Sequence, residues 1–560
     1  MSNPIQTNMP LEPPDPASSR LAALQASLRP KKTMRIAVSG GVLVTETERQ
    51  ILDTPDFQRL RGIRQLALAH LVYPTALHTR FDHSLGTLYW AARMVQSIRE
   101  NAHNGETERS ISTEQEVLIR LYALLHDVTH IPFGHTVEDE LELLVRHDQN
   151  AERIQRFLGP DSDIGRIIVT AYGTEVLDKL HDIYVWGGDP GGRTFPAEDV
   201  FIHDLVSNTV CADLLDYLQR DDHFCNLGVP LEYHFVNFLY LANDQHSQRR
   251  VFVRLWKDDK TISGGRPRRD ILTDLCRLLE TRYLIAERVY FHHAKVAAGV
   301  MLGRAIQESL LAGEIDERFM WEMTDEVLLA QLRSSGSDLA QRLATEVSQR
   351  RLYKEYYAFG WQDVEKPQAQ SHFANQYDDV IQIRLGSAER RREFEDQIAD
   401  IIRAEPADVL IYAPTRKMNR KEAEANVFWE GHPTKLKDVS DPVVGPRLEA
   451  TLEAHRMLWS IRILVRPSLT PAQRLFAKQL CEIELLTQAA ERREKQEAIY
   501  AQIVERALAE ENRRIPTSAQ EFRRKVEGVV EELMAPGHLG EGFSKRLRAA
   551  IGRTFPDALA

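Results

Sequence analysis

The chain has 560 residues, too many for one ordinary domain and enough to bury a large core. Its 71 Lys and Arg stand against 82 Asp and Glu, a formal charge of −11, which excludes a global basic field for gripping nucleic acid. A content of 43% apolar and 27% charged residues excludes a disordered or membrane-embedded chain. The four cysteines (Cys211, Cys225, Cys276, Cys481) are scattered with no CxxC pair, as expected of buried thiols in a reducing compartment. No stretch approaches the roughly 18 apolar residues of a spanning helix, and the N-terminus lacks a signal-peptide core. A multi-lobed cytoplasmic protein with no membrane partner is expected, and nucleic acid is not an expected partner either.

In chain order, residues 1–32 are polar and proline-rich and read as a flexible lead. Residues 34–45 alternate around Gly40-Gly41 and predict a β-hairpin. From Asp53 to about residue 330 the pattern is helical, with amphipathic stretches around Leu85–Ala92 and Val117–Leu125. A strand signal at Arg249–Trp256 precedes a basic loop ending at Arg269, and one long helix is expected from Asp270 towards Leu311. Residues 380–384, 409–412 and 460–465 alternate like strands, and 485–513 reads as a charged amphipathic helix. The fold class is therefore mainly α: a helical catalytic lobe over 33–330 with a short N-terminal hairpin, and a smaller α+β lobe over 331–560.

Residues 126–135 read His-Asp-Val-Thr-His-Ile-Pro-Phe-Gly-His. Three histidines and a carboxylate in ten residues are hard to explain as packing, because a buried Asp needs a partner. The apolar run Leu121–Leu125 would deliver His126-Asp127 to an interior cleft, with Pro132 breaking the helix. On that helix His126 and His130 share a face at i, i+4. Such a dyad suits a first-row divalent ion of mixed N/O preference. Two other segments could complete its shell. Arg80 and His83 lie at i, i+3, and Asp213, Tyr217 and Asp221 stack at four-residue intervals on one helix face. Surface ion pairing explains that last run equally well.

The order His83, His126-Asp127, Asp213 resembles the H…HD…D signature of HD-domain metal-dependent phosphohydrolases. Further strings narrow the resemblance to the deoxynucleoside triphosphate (dNTP) triphosphohydrolases: Phe57-Gln-Arg-Leu-Arg61 with Gln65-Leu66, Tyr73-Pro74, His78-x-Arg80-Phe81-x-His83-Ser84-Leu85-Gly86, His147-Asp148-Gln149, Asp216-Tyr217-x-x-Arg220-Asp221, and Thr281-Arg282…Arg288-x-Tyr290-x-His292. It covers roughly residues 35–310 and continues weakly to 466. Thr129 stands where the family has glycine, and the lysine expected just after His292 is displaced to Lys295.

The resemblance implies one divalent ion (Mn, Mg, Fe or Zn) on His83, His126, Asp127 and Asp213. It implies hydrolysis of a dNTP to deoxynucleoside and intact triphosphate, with water attacking the α-phosphorus. His135 would protonate the leaving 5′-oxygen, oriented by Glu138, while His130, His147 and Asp148 line the phosphates or relay protons. Arg61, Arg80 and Arg282 would bind phosphate oxygens, with weaker claims for Arg288 and Lys295. Gln65 would reach the 3′-hydroxyl, Leu66 and Tyr290 would crowd the 2′ position, Asp221 would bind the 3′ side, and Tyr217 would stack on the sugar or brace the metal helix. A homo-oligomer with a nucleotide effector is implied, for which Arg249, Arg250, Arg254, Arg266–Arg269 and Arg416–Lys421 are candidate contacts. A role in balancing nucleotide pools or in antiviral depletion follows from the resemblance alone. Two other functions fit the residues: hydrolysis of another phosphoester (a nucleoside monophosphate, alarmone or cyclic dinucleotide), or sensing of dNTP without turnover.

Overall fold

The computed structural model describes residues 16–104, 110–188, 195–257, 265–360, 385–414, 425–442 and 444–486. The strand expected at 380–384, the basic run 416–421 and nearly all of the helix expected at 485–513 lie outside the described residues.

The lead is not extended throughout: Pro16–Ser27 form helix α1, whose Leu24 is buried and whose Arg20 pairs with Glu175 at 2.8 Å. The Leu-Ala-Ala-Leu-Gln-Ala run has the helix propensity to explain this. The hairpin follows as expected, β1 (Lys32–Ile36) against β2 (Gly40–Val44), in register Lys32↔Val44. Its turn is Ala37–Ser39, with Val38 at φ 74° alongside Gly40 at the same angle.

Three helices frame the interior. α2 (Arg80–His103) starts at a capping box, in which Thr79 accepts from the Asp82 N–H and Asp82 accepts from the Thr79 N–H. α3 (Thr113–Leu125) is buried at every position from Val117 onward. α4 (Ala212–Cys225) carries Asp213 in its first turn. α2 packs along both of the others, burying its apolar stripe against them.

The helix expected over 270–311 is two. α5 (Arg269–Ile285) passes through a π-turn at Ala286–Tyr290, and α6 (His293–Leu311) begins after a bend capped by His292. The bend brings Tyr290 and Lys295 onto the wall of one cavity. α7 (Asp325–Arg333) follows.

Strands from both sides of residue 330 share a four-stranded sheet. β3 (Leu239–Asn243) pairs antiparallel with β4 (Arg249–Arg254), and β4 runs parallel to β7 (Asn426–Trp429), which pairs with β8 (His432–Lys435). A three-stranded antiparallel sheet centres on β9 (Ser460–Val465), flanked by β5 (Lys354–Gly360) and β6 (Val409–Tyr412). Helix α8 (Ala388–Ile401) packs on β6. All four cysteines are free and buried. Among the described residues no helix is long and apolar enough to cross a membrane.

Candidate metal centre

α3 ends at Leu125, seven residues before Pro132, because side chains capture the carbonyls that the next turn would use. Tyr184 donates to the Leu125 and His126 carbonyls, and Arg59 donates to Val128 O and His130 O, each at 2.8 Å. His126 and His130 therefore do not share a helix face, contrary to the sequence expectation. His126 turns towards α2 and α4, and His130 turns away behind Asp127.

His83 Nδ1 lies 2.9 Å from Asp216 Oδ2, and His126 Nδ1 lies 2.9 Å from Ala123 O. Both partners only accept, so each Nδ1 carries the proton and each Nε2 presents a lone pair. These two Nε2 atoms are 3.2 Å apart. Asp213 Oδ1 stands 3.0 Å from His83 Nε2 and 3.8 Å from His126 Nε2. Asp127 Oδ2 is 3.8 Å from His83 Nε2, and its Oδ1 is 3.6 Å from His126 Nε2. Four acceptors facing one point repel one another unless a cation joins them. Bonds of about 2.1 Å at tetrahedral or octahedral angles place ligand atoms about 3.0–3.5 Å apart. One ligand atom each from His83, His126 and Asp127 falls within a 4.8 Å span that could hold such an ion, with Asp213 beside the two histidines. Asp213 and Asp216 outweigh the opposing effect of burial and push the His83 ring up to about 10, so that a second proton can occupy Nε2, the position a metal ion would take.

A second shell fixes this set. Arg220 grips Asp216 through Nε and Nη2, both at 2.8 Å. This buried i, i+4 pair is the ion pairing that the spacing of that helix suggests, turned inward. Gly86, one turn after His83, is what admits it: a Cβ there would lie 1.8 Å from Asp216 Oδ1. Arg80 donates to Asp127 Oδ2 at 2.5 Å and, with the neighbouring histidines, holds that carboxyl well below the usual range despite burial.

On the far side of Asp127 lies another group. His130 Nε2 is 3.2 Å from Asp127 Oδ1, and its ring packs on that of His147 at 3.6 Å between centroids. Glu138 Oε2 faces His147 Nδ1 at 3.2 Å and His130 Nδ1 at 3.5 Å, while its other oxygen is held by Arg153. One ligand atom each from Asp127, His130 and His147 falls within a 4.8 Å span. His130 is fully buried, and burial lowers its ring to about 3. It is not among the residues that line the cavity, so of its two expected roles lining the phosphates falls away and relaying protons is left. Thr129 fits in glycine's place, buried, with its hydroxyl donating to His147 O at 3.2 Å.

A cavity of about 870 Å³ opens onto Asp127, His126, His83 and Asp213. His135, His147, Asp148, Arg80, Gln65, Leu66, Tyr217, Asp221, Arg282 and Tyr290 line it, as does Lys295, which is paired with Glu140. Tyr290 OH donates to Asp221 Oδ2 at 2.7 Å, and His78 Nε2 sits 2.8 Å from Asp221 Oδ1. Gln65 Oε1 and Asp148 Oδ1 are buried without a hydrogen-bond partner. Two expectations fail here. Arg61 is exposed and outside the cavity, its guanidinium 3.6 Å over the Phe81 ring and its Nε donating to Gln58 Oε1 at 2.8 Å. Glu138 does not orient His135; Asp139 does, its Oδ2 2.6 Å from His135 Nδ1. Residues 136–140 form a π-turn, whose wider spacing returns position i+4, not i+3, to the same face. Asp139 and Arg153 are site residues that the sequence reading did not single out. Asp216 and Arg220 stood in a motif string without a role of their own, and their i, i+4 spacing was the signal for one.

Residues 80–172 match the HD domain family, and residues 276–492 match the HD associated region. The chain thus carries an HD domain followed by an HD associated region. It is 27% identical over 333 residues to an uncharacterized protein of Methanocaldococcus jannaschii (60% of this chain, 61% of the relative). It is 26% identical over 352 residues to deoxynucleoside triphosphate triphosphohydrolase SAMHD1 of Mus musculus (54% and 51%) and 24% identical over 342 residues to its Dictyostelium discoideum homolog (59% and 60%). The HD-domain chain thus spans between half and about three-fifths of these relatives' lengths. Among solved structures, a hypothetical protein from Aquifex aeolicus superposes with TM-score 0.53 at 21% identity, over 80% of this chain and 99% of its own. A phosphohydrolase from Bacteroides thetaiotaomicron gives 0.51 at 18% identity, over 78% and 100%. At these identities the likeness is one of fold. Asp213 lies outside both matched regions, so its place in the quartet rests on the geometry above.

Proposed function

We propose that this HD-domain protein hydrolyses deoxynucleoside triphosphates to deoxynucleoside and inorganic triphosphate. The observation that carries the reading is one cavity lined both by the His83, His126 and Asp127 cluster with Asp213 and by the Asp221–Tyr290 pair with Gln65 and Leu66. Asp221 and the unpartnered Gln65 Oε1 are acceptors suited to a 3′-hydroxyl, while Leu66 and the Tyr290 ring leave an extra 2′-hydroxyl without a hydrogen-bond partner. A divalent ion on His83, His126, Asp127 and Asp213 would supply charge neutralisation at the α-phosphate.

The remaining roles fall to the chain's own side chains. Arg282 and Arg80 present guanidinium groups to the phosphates, Arg80 while still bonded to Asp127. Asp139 holds the proton on His135 Nδ1, so that Nε2–H of the charged ring can protonate the departing 5′-oxygen as the P–O5′ bond breaks. Asp148 Oδ1, on the same wall and unpartnered, can receive the proton of the attacking water. His130 acts from behind, through Asp127 and Glu138, while His147 reaches the cavity wall beside Asp148.

Chromatography of each dNTP and NTP incubated with metal-loaded protein tests the reading. Inorganic triphosphate from dNTPs, little from NTPs and none from Asp127→Ala is expected. Orthophosphate or pyrophosphate as the sole product would move the activity to another phosphoester, and tight dNTP binding without products would make the protein a sensor. An oligomer with a nucleotide effector belongs to the same proposal. On its candidate basic edge Arg250 is paired with Asp204 at 2.7 Å and Arg268 with Asp270 at 2.6 Å, which reduces the free cations available there.

A further inference from the structure

Asp325 is the first residue of α7, yet neither of its oxygens serves that helix. Oδ2 accepts the Arg64 N–H at 2.9 Å, and Oδ1 accepts the Phe133 N–H at 3.0 Å. The carboxylate is completely buried, with Arg64 Nη1 3.6 Å away. An acid in a helix's first turn ordinarily stabilises that helix's own free N–H groups. Here it joins two segments that are remote in sequence and that both line the cavity: Arg64-Gln65-Leu66 and Phe133-Gly134-His135.

The junction shows its tightness elsewhere. A Cβ on Gly62 would lie 2.4 Å from Thr324 Cγ2, so the backbone just before the first wall rests directly on the start of α7. Phe133 takes φ 57°, a left-handed conformation that is unfavourable for a bulky residue. Its N–H is the one given to Asp325. A Cβ on Gly134 would meet His130 Nδ1 at 2.4 Å, so the second wall has no slack on its inner side. A buried carboxylate held by two backbone N–H groups is a poor source of stability compared with an apolar side chain of equal volume. What it provides is a fixed separation between two loops.

We propose that Asp325 is a positioning residue that sets the spacing between the sugar wall, Gln65-Leu66, and the wall that carries His135. The assignment rests on the dNTP reading for what the two walls do. Closing the spacing correctly lets Leu66 exclude a 2′-hydroxyl while His135 meets the 5′-oxygen. A misplacement of about 1 Å can cost about a hundredfold in rate.

The test compares Asp325→Asn, Asp325→Ala and Glu326→Gln in the full chain. Glu326 is an exposed partner of the Arg64 guanidinium at 2.5 Å and does not touch the backbone junction. Three quantities are read: metal content, kcat and KM for dNTP and NTP, and hydrogen exchange of peptides spanning 61–66 and 131–136. For Asp325→Asn, retained metal, a kcat on dNTP lowered roughly 10–100-fold, a dNTP/NTP preference reduced roughly tenfold and faster exchange in both peptides are expected. Glu326→Gln should match wild type in all three. The proposal is overturned if Asp325→Asn keeps wild-type selectivity and exchange, or if its activity falls only in proportion to lost folded, metal-loaded protein. Should Asp325→Ala fail to fold, the near-isosteric Asn variant still decides. If wild type releases no triphosphate from dNTPs, the functional reading fails while the exchange data still judge the junction.

Discussion

The cleft and the seam between α6 and α8 both bury arginine–carboxylate pairs, with opposite electrostatic outcomes. In the cleft Asp216 and Glu138 are each faced by an arginine and at least one histidine. Asp216 has Arg220 at 2.8 Å and His83 at 2.9 Å, and Glu138 has Arg153 with His147 and His130. Burial alone would raise both acids, yet these donors hold Asp216 below the usual carboxylate range and Glu138 well below it. At the seam one guanidinium is divided among three acids: Arg304 reaches Glu395 at 2.8 Å, Asp396 at 2.7 Å and Glu308 at 2.7 Å. Burial then dominates and pushes Glu395 up to about 7. At Asp216 and Glu138 the charged donors outweigh burial and keep a fixed charge, whereas at Glu395 burial wins and the acid titrates near neutrality. Fixed charges are what a cation site needs, because they lock the histidine tautomers.

The largest effect that would probe this contrast is at Asp127, which faces both groups of the cleft. Asp127→Ala should lose the ion and at least about a thousandfold in turnover. Metal analysis together with product chromatography checks it, and retained metal would mean that the quartet is not the site. Next, the two cleft carboxylates should separate. Asp216→Asn should weaken metal affinity about 10–100-fold, because His83 loses its tautomer lock. Glu138→Gln should keep the ion, lower kcat and destabilise the fold by about 1–3 kcal/mol, since Arg153 retains Glu317 at 3.2 Å. Equal metal loss in both variants would erase the distinction between the groups. Smaller again is Gly86→Ala, whose methyl must displace Asp216. Metal affinity several-fold below wild type, with α2 still helical by circular dichroism, is the expected result.

Much of the cleft was legible because its residues obey short-range rules. His83, His126, Asp127 and Asp213 declare themselves by type and spacing, and the hairpin, β6 and β9 declare themselves by alternation. What was not legible depends on local departures from regular geometry. The π-turn at 136–140 exchanges Glu138 for Asp139 as the partner of His135, and no residue type in that run marks a π-turn. The stop at Leu125 comes from Tyr184 and Arg59, which are remote in sequence, and it alone separates His130 from His126. Arg61 looked like a phosphate ligand by its place in a motif, but the 59–62 turn swings it onto Phe81. The break at 286–290 lies in a sequence with good helical pattern and no proline, so periodicity alone could not announce it.

The seam supplies the smallest and most specific prediction. Glu395 has a folded value of about 7 against an ordinary 4.5, so the native state binds its proton more tightly than the unfolded chain does. Its contribution to stability is therefore fully present below about pH 4.5 and is lost as pH rises through about 7. Glu395→Gln keeps an acceptor for the Ile411 N–H, which is bonded at 2.7 Å, and leaves Arg304 with Asp396 and Glu308. Thermal unfolding of both proteins at pH 5 and pH 8 isolates this one group, since every other titration is common to the pair. Relative to the variant, wild type should lose on the order of 1–3 kcal/mol between those two conditions. A difference independent of pH would show that Arg304 keeps Glu395 ionised after all, placing the seam in the same electrostatic class as the cleft.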